Sequence, residues 1–258
     1  MLQELGRGRE ATVFAVLRKK TGEGKPKTPR VLALRVPHKQ GPVSKYTRRV
    51  CAMPVHENVA QVHACDLVSG ILLMQYVPCG TVADELVCDL VSPRRALEVA
   101  KQVLRGVAHL HKHGFLHGDI SPANILVGDN RDCKLTDFFS PPDACRCGSP
   151  SYMSPESARG NIVPANDIWS VGCVMLALGG RAPWGSGEAV LEDGSRVDLT
   201  DAAALLYHIS SRPIAEKGPP EFLEVVASEG LFSSTLARMF MTEERRASAK
   251  TLLDIICV

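Results

Sequence analysis

The chain has 258 residues, 45% hydrophobic and 22% charged, enough for a sizeable core in one large domain or two packed lobes and too apolar for disorder. A net charge of +2 gives no overall attraction to nucleic acid or a membrane surface, so neither is expected as a partner. Nine cysteines is an odd number, and the opening "MLQELGRGRE" lacks the basic and apolar regions of a leader, which argues against a secreted disulfide framework. Cys133, Cys145 and Cys147 lack the paired short spacings of a zinc site, and runs such as "VGCVMLAL" are too short to span a bilayer. The expectation is a soluble intracellular protein, cytoplasmic, with a nuclear location also open.

The first third reads as β-rich. "ATVFAVL", "VLALRV", "VAQVHACDLV" and "ILLMQYV" are short runs rich in β-branched residues, separated by Gly, Pro and charge. "TGEGKPKTPR" between the first two has the composition of a solvated hairpin loop. One short basic helix interrupts the strands, with Ser44 as N-cap and Tyr46, Val50 and Met53 at i, i+4, i+7 as its core face. It lies within a stretch from Lys25 to His56 that holds eight Lys and Arg and no acid.

After "VPCGT" the pattern turns helical. In "SPRRALEVAKQVLRGVAHLHKHG", Ser92 caps, Pro93 occupies the first turn and Gly114 ends the helix. "ANDIWSVGCVMLAL", "TDAAALLYHI" and "RASAKTLLDIIC" predict further helices, and "GSGEAVLEDGSRVDL" (185–199) reads as a surface loop. A small β-rich lobe therefore precedes a larger helical one, joined at residues 78–80.

Three stretches carry chemistry only when taken together. "LGRGREATV" places Gly6 and Gly8 between two strands, where bare backbone N–H groups can approach a phosphate. "HGDISPANIL" sets Asp119 and Asn124 five apart after a helix, and "LTDFF" supplies Asp137 thirteen residues beyond Asn124. Each alone is an ordinary turn or loop carboxylate.

In this order and at these intervals, the stretches resemble the protein kinase signature set of Gly-rich loop, strand Lys, catalytic-loop Asp and Asn, and an Asp before Phe. "GSPSYMSPE" (148–156) looks like the segment closing the activation loop, "NDIWSVGC" (166–173) like the start of the central helix of the large lobe, and "ERRASAKTLL" like the last helix with its Arg. The resemblance runs from Leu5 to about Leu253. It implies an α+β, two-lobed protein kinase-like fold in a single domain over 1–258: an N-lobe (1–77) with one helix, the joint, and a mainly helical C-lobe (81–258).

The resemblance also implies roles. Asp119 matches the catalytic base, and Asn124 and Asp137 match the ligands of Mg²⁺, or Mn²⁺, that bridges the phosphates of ATP. Leu5, Gly6 and Gly8 fall at the glycine loop. Met74 matches the gatekeeper of the hinge "MQYV", with backbone groups of Gln75 and Val77 at the adenine edge. Val13, Ala33 and Leu126 match the apolar sandwich around the purine. Glu156 and Arg246 match a buried ion pair, and Asp167 a residue that orders the catalytic loop. His111 and His117 match structural histidines, so metal ligation by His109, His111, His113 and His117 is the weaker reading.

Several positions depart from the pattern. Arg35 stands where the family has the strand Lys that holds the phosphates, and its wider, forked guanidinium is not interchangeable with an ammonium. The Glu that pairs with that Lys falls near Thr47, in the stretch without acids. Ala11, Ser121 and Phe139 replace the third loop Gly, the catalytic-loop Lys and the Gly after Asp137-Phe138. Gly118 replaces the Arg that pairs with a phosphorylated activation loop, and "SPPDACRCG" offers only Ser140 as a hydroxyl, so no activation by loop phosphorylation is expected.

Three readings remain: an ATP- and Mg-dependent Ser/Thr protein kinase acting on an unidentified protein substrate, a pseudokinase serving as a nucleotide-binding interaction module, and a small-molecule kinase. The third is weakest, because "SPE", "DIWSVG" and the last Arg are foreign to that class. Intact Asp119, Asn124 and Asp137 favour the first.

Overall fold

The computed structural model describes residues 3–8, 10–17, 31–39, 41–88, 91–138, 149–190, 194–211, 218–220, 222 and 230–257. The "TGEGKPKTPR" loop, Lys19-Lys20, Phe139, and "SPPDACRCG" with Cys145 and Cys147 lie outside the described residues.

Five strands form one antiparallel sheet: β1 (Gln3–Arg7), β2 (Ala11–Leu17), β3 (Val31–Pro37), β4 (Val62–Cys65) and β5 (Leu72–Gln75), in the spatial order β1-β2-β3-β5-β4. β3 is central, paired with β2 from Ala11↔Pro37 to Leu17↔Val31 and with β5 through Ala33↔Met74 and Arg35↔Leu72. Gly6 lies inside β1, opposite Val13 beside a bulge, and only Gly8 lies in the following turn, where its N–H donates to Ala11 O at 2.9 Å. The expectation that both glycines sit between the strands is corrected here: the bulge, which a residue without Cβ tolerates easily, lets the ladder extend past Gly6.

The N-lobe helix α1 (Lys45–Cys51) is capped as expected, with Ser44 Oγ accepting from Thr47 N at 3.0 Å. Val50 is buried, but Met53 falls past the end of the helix, in a turn whose N–H donates to Val50 O. All three residues join the core as expected, with Tyr46 and Met53 half-buried against it, but Met53 does so from the turn because seven residues make only two turns of helix. The helix leans on the other lobe: Tyr46 OH donates to Leu116 O at 2.9 Å and its ring meets Phe115 edge-on at 5.5 Å. Arg49 lies over the same Phe115 ring and donates to His113 O. Burial pushes the Tyr46 phenol up to about 12, so it stays a donor at any ordinary pH.

The C-lobe contains α2 (Val82–Cys88), α3 (Pro93–Lys112), α4 (Pro155–Ala158), α5 (Pro164–Leu178), α6 (Ala202–Ser211), α7 (Leu231–Met239) and α8 (Ala249–Ile256). Helix α3 is amphipathic, burying Ala96, Val99, Ala100, Val103, Leu104, Val107 and Leu110. At about 1.5–3 kcal/mol for each large aliphatic side chain removed from water, that stripe is the main reason the helix holds its place. Helix α5 is nearly all buried and forms the axis of the lobe, with Trp169 packed edge-on against Phe240 at 4.9 Å. The segment 185–199, expected as a loop, contains two antiparallel strands, β8 (Glu188–Val190) and β9 (Arg196–Asp198), linked diagonally by Arg196 and Glu188 at 3.1 Å.

Two further strands, β6 (Ile125–Val127) and β7 (Cys133–Leu135), form a small antiparallel ribbon under the N-lobe sheet. Its position is fixed by α3. A Cβ on Gly106 would stand 2.7 Å from Asn58 O and 2.9 Å from Leu135 Cδ1, so only glycine lets the helix, the loop before β4 and β7 meet. Asn58 O and Leu135 O then accept from Leu135 N and Ala60 N, both at 2.9 Å. The strand that leads directly to Asp137 is thereby tied to the N-lobe.

Candidate active site

Asp119, Asn124 and Asp137 come together at the mouth between the lobes. Asn124 Nδ2 donates to Asp119 O at 2.8 Å and to Asp119 Oδ2 at 3.1 Å, while the N–H of Ser149 donates to Asp119 Oδ1 at 2.8 Å. Asn124 O accepts from Thr136 N at 3.0 Å, which places Asp137 next in line. Burial raises the pKa of the Asp119 carboxyl, with the nearby Asp137 charge adding to the effect and the Ser149 N–H opposing it. Its hydrogen bonds therefore orient a base that is easier to protonate than an ordinary carboxylate.

The loop carrying Asp119 hangs on Asp167, in the first turn of α5, where the helix N-terminus favours a negative charge. Its carboxylate accepts from His111 Nε2 (2.8 Å), His117 N (3.0 Å) and Gly118 N (2.9 Å). Burial acts to raise its pKa, but these bonds and the histidines prevail and hold it low. Gly118 has φ +75°, a backbone angle that glycine adopts without the steric penalty of a side chain. The Arg that the family pattern has here would be strained in this loop. Next to it, the Asp119 N–H donates to His117 Nδ1 at 3.3 Å.

Asp137 is half exposed and has φ +63°, an uncommon angle for a non-glycine residue that costs about 1–3 kcal/mol. The strain is held by the neighbouring Phe138, which is buried against the His117 ring. Arg35, on β3, is buried with 8% of its surface exposed. Its Nε donates to Asp137 Oδ1 at 3.1 Å and its Nη2 lies 3.6 Å from Glu10 Oε2. The first turn of α1 contains no acid.

The positions expected to line a nucleotide cleft divide by exposure. Ala33 and Met74, opposite each other on β3 and β5, are buried; Val13, Gln75, Val77 and Leu126 are half-buried; Leu5, Gly6 and Gly8 are exposed. Leu126 faces the joint through a bridge with Thr81, and the joint is fastened to the ribbon by Cys79 N to Val127 O and Val127 N to Gly80 O. The Gln75 N–H is committed to Gln61 O at 2.8 Å, so that group is already engaged within the N-lobe. A Cβ on Gly6 would meet nothing within 4 Å, and one on Gly8 only Ala11 O at 3.7 Å, so there is open space beside both glycines, although the Gly8 N–H is already engaged by Ala11 O.

Further down the lobe, Glu156 and Arg246 form the expected ion pair, both buried, and Arg246 also donates to Ala165 O and Met241 O. A cleft of about 590 Å³ lies between Leu86, Val87, Tyr152, Leu178 and Pro183, and Tyr152 separates it from the small pocket that contains Asp119. No group of three His, Cys, Asp or Glu among the described residues is arranged to hold a metal. Among the described helices, none is long and apolar enough to cross a membrane.

Two residues of the site escaped the sequence reading. Ser149 acts through its backbone, which no side-chain pattern marks. Glu10 had a signal, as the acid two residues after Gly8, but an isolated carboxylate beside a turn is uninformative until β2 and β3 are paired.

Comparison with known proteins extends the resemblance. Over 149 residues the chain is 32% identical to Mitogen-activated protein kinase kinase kinase 18 of Arabidopsis thaliana, covering 54% of this chain and 41% of that protein. It is 34% identical over 120 residues to Serine/threonine-protein kinase PknB of Mycolicibacterium smegmatis, covering 42% of this chain and 19% of that protein. The matched segments thus span less than half the length of these curated relatives. The family model described as protein kinase domain matches residues 1–229. Together with the five-stranded sheet, the helical lobe and the Asp119–Asn124 loop suspended from Asp167, this match places the chain in the protein kinase family.

Proposed function

We propose that the chain transfers the γ-phosphoryl group of ATP to Ser or Thr hydroxyls of a protein, with Asp119 as the base. The observation that carries this reading is the fixed carboxylate of Asp119, held by Asn124 Nδ2 and Ser149 N–H. Asp119 orients the acceptor hydroxyl and takes its proton, a role that requires hydrogen-bond reach and a carboxylate free of protons. Arg35 contributes a positive charge toward the phosphates, and Ala33, Met74, Val13 and Leu126 offer an apolar slot for the purine.

The donor atoms suit a hard divalent cation. Asn124 uses its amide N–H groups on Asp119, leaving Oδ1 as its ligating atom, and Asp137 offers carboxylate oxygen on an exposed side chain. Asn124 and Asp137 would hold Mg²⁺ or Mn²⁺, which when bound neutralises phosphate charge as the bond breaks. Gln75, through its carbonyl, and Val77 would meet the adenine, with Leu5 at the outer lip.

A second reading is favoured by one observation. Arg35 Nε already occupies Asp137 Oδ1, and no helix carboxylate draws it away, which suits a module that holds nucleotide without rapid transfer. Purified protein with labelled ATP and Mg²⁺ or Mn²⁺, compared with Asp119→Ala, Asp137→Ala and Arg35→Lys, separates the two. Transfer well above the Asp119→Ala control supports the kinase. No transfer above it, with nucleotide binding retained, supports the module.

A further inference from the structure

A guanidinium removed from water needs a carboxylate to offset its desolvation, and in this fold the neighbouring helix is where one would be sought. Helix α1 reads Lys45, Tyr46, Thr47, Arg48, Arg49, Val50, Cys51 and contains none. Two of its polar side chains reach the other lobe, Tyr46 to Leu116 O and Arg49 to His113 O. Arg35 is nevertheless buried, with only 10% of its side chain exposed.

We propose that Glu10, just before β2, is the positioning residue for Arg35, so that the phosphate-facing cation is tied to the end of the glycine loop and not to α1. The inference rests on the reading of the interlobe cleft as a nucleotide site. The Arg35 fork lies between two carboxylates from opposite lobes, Asp137 Oδ1 at 3.1 Å on Nε and Glu10 Oε2 at 3.6 Å on Nη2.

Glu10 is well placed for this role. Its carbonyl accepts from His38 N at 2.8 Å, Ala11 pairs with Pro37, and Thr12 Oγ1 lies 3.1 Å from His38 Nε2. The start of β2 is therefore fastened to the end of the same strand that carries Arg35, and the separation of the two side chains is set by the sheet. With Glu10 present, the guanidinium is shared between the loop and Asp137. Without it, the stronger bond to Asp137 draws Arg35 onto the carboxylate that must face a cation, and phosphate and metal both lose.

The consequence is a change in what the cation senses. A charge held by a helix follows that helix. A charge held by Glu10 stays with the paired β2 and β3, at the end of the glycine loop, wherever α1 lies. Nucleotide affinity should then depend on residue 10 and be insensitive to α1.

The test is a titration of a fluorescent ATP analogue with Mg²⁺ into wild type, Glu10→Gln, Glu10→Asp, Arg35→Met and the Glu10→Gln/Arg35→Met double variant. Glu10 is half exposed, so its variants keep the fold, and thermal unfolding of each checks this. Glu10→Gln should weaken binding about three- to fivefold, the scale of a partly exposed ion pair, and Glu10→Asp should recover part of the loss. In the Arg35→Met background, Glu10→Gln should have no further effect, as expected of a residue acting only through Arg35. Wild-type binding with an unchanged Glu10→Gln, or an equal loss in both backgrounds, overturns the inference while leaving the nucleotide site in place. Wild type that takes up no nucleotide overturns the underlying reading, and the inference with it.

Discussion

At Asp119, function and stability oppose each other. Burial raises its pKa, so the folded protein at neutral pH bears a cost for keeping the carboxylate charged, a cost that fades as pH falls through the raised folded value and is gone by the unfolded one. Asp119→Asn removes that cost and leaves a side-chain oxygen for the Ser149 N–H. The expected outcome is a loss of about 10²–10⁴-fold in kcat with a neutral-pH Tm equal to or above that of wild type. The same raised pKa places the acid limb of kcat/KM above the ordinary carboxylate value of about 4, measurable as a pH–rate profile. A Tm that falls sharply in Asp119→Asn would contradict this account. The sequence made Asp119, Asn124 and Asp137 legible because their identities and intervals are covalent facts. It left Arg35 as a question, because the partners of a buried charge come from 25 and 102 residues away along the chain, counting from Arg35 to Glu10 and to Asp137.

Among the elements, α1 differs most from what its sequence suggests in isolation. Two turns of basic helix are too short to be stable alone, and the cap at Ser44 supplies only part of the deficit. The remainder comes from Tyr46 and Arg49 on the Phe115–Leu116 segment, a short way ahead of Asp119 along the chain. Tyr46→Phe keeps the edge-on ring contact and loses one half-buried hydrogen bond, so it should cost about 0.5–1.5 kcal/mol in chemical denaturation and raise amide exchange in α1. An unchanged exchange pattern would mean the phenol does not anchor the helix. The strand pair of β8 and β9 was hidden for a related reason: three-residue strands carry too little alternation to be distinguished from loop, and pairing alone defines them.

Across the whole molecule, the lobes meet through backbone as well as through side chains such as Tyr46, Arg49 and Arg35. Asn58, Ala60 and Leu135 bind the N-lobe to the ribbon, and the joint at 78–80 is bonded to Val127. A ligand held by Gly6 and Gly8 on one side and Asn124 and Asp137 on the other adds a bridge absent from the unfolded chain. Under the proposed reading, Mg²⁺ with ATP at about a hundred times its Kd should stabilise the fold by about 2.7 kcal/mol, seen as a rise in Tm. Asp137→Ala should lose the part of that rise that depends on metal. A Tm that ignores both nucleotide and metal would exclude a nucleotide site of either kind, kinase or module.

The sequence by itself determined the β-rich lobe ahead of the helical one, the caps at Ser44 and Ser92, and the spacing that brings Asp119, Asn124 and Asp137 within reach of one site, since periodicity and interval are properties of the chain. The tertiary structure decided what the charges face. Only pairing β2 with β3, and docking β7 under α3 at Gly106, sets Glu10 and Asp137 on either side of Arg35. A guanidinium can pair with any carboxylate within about 4 Å, and that distance is fixed by packing between segments that the sequence separates.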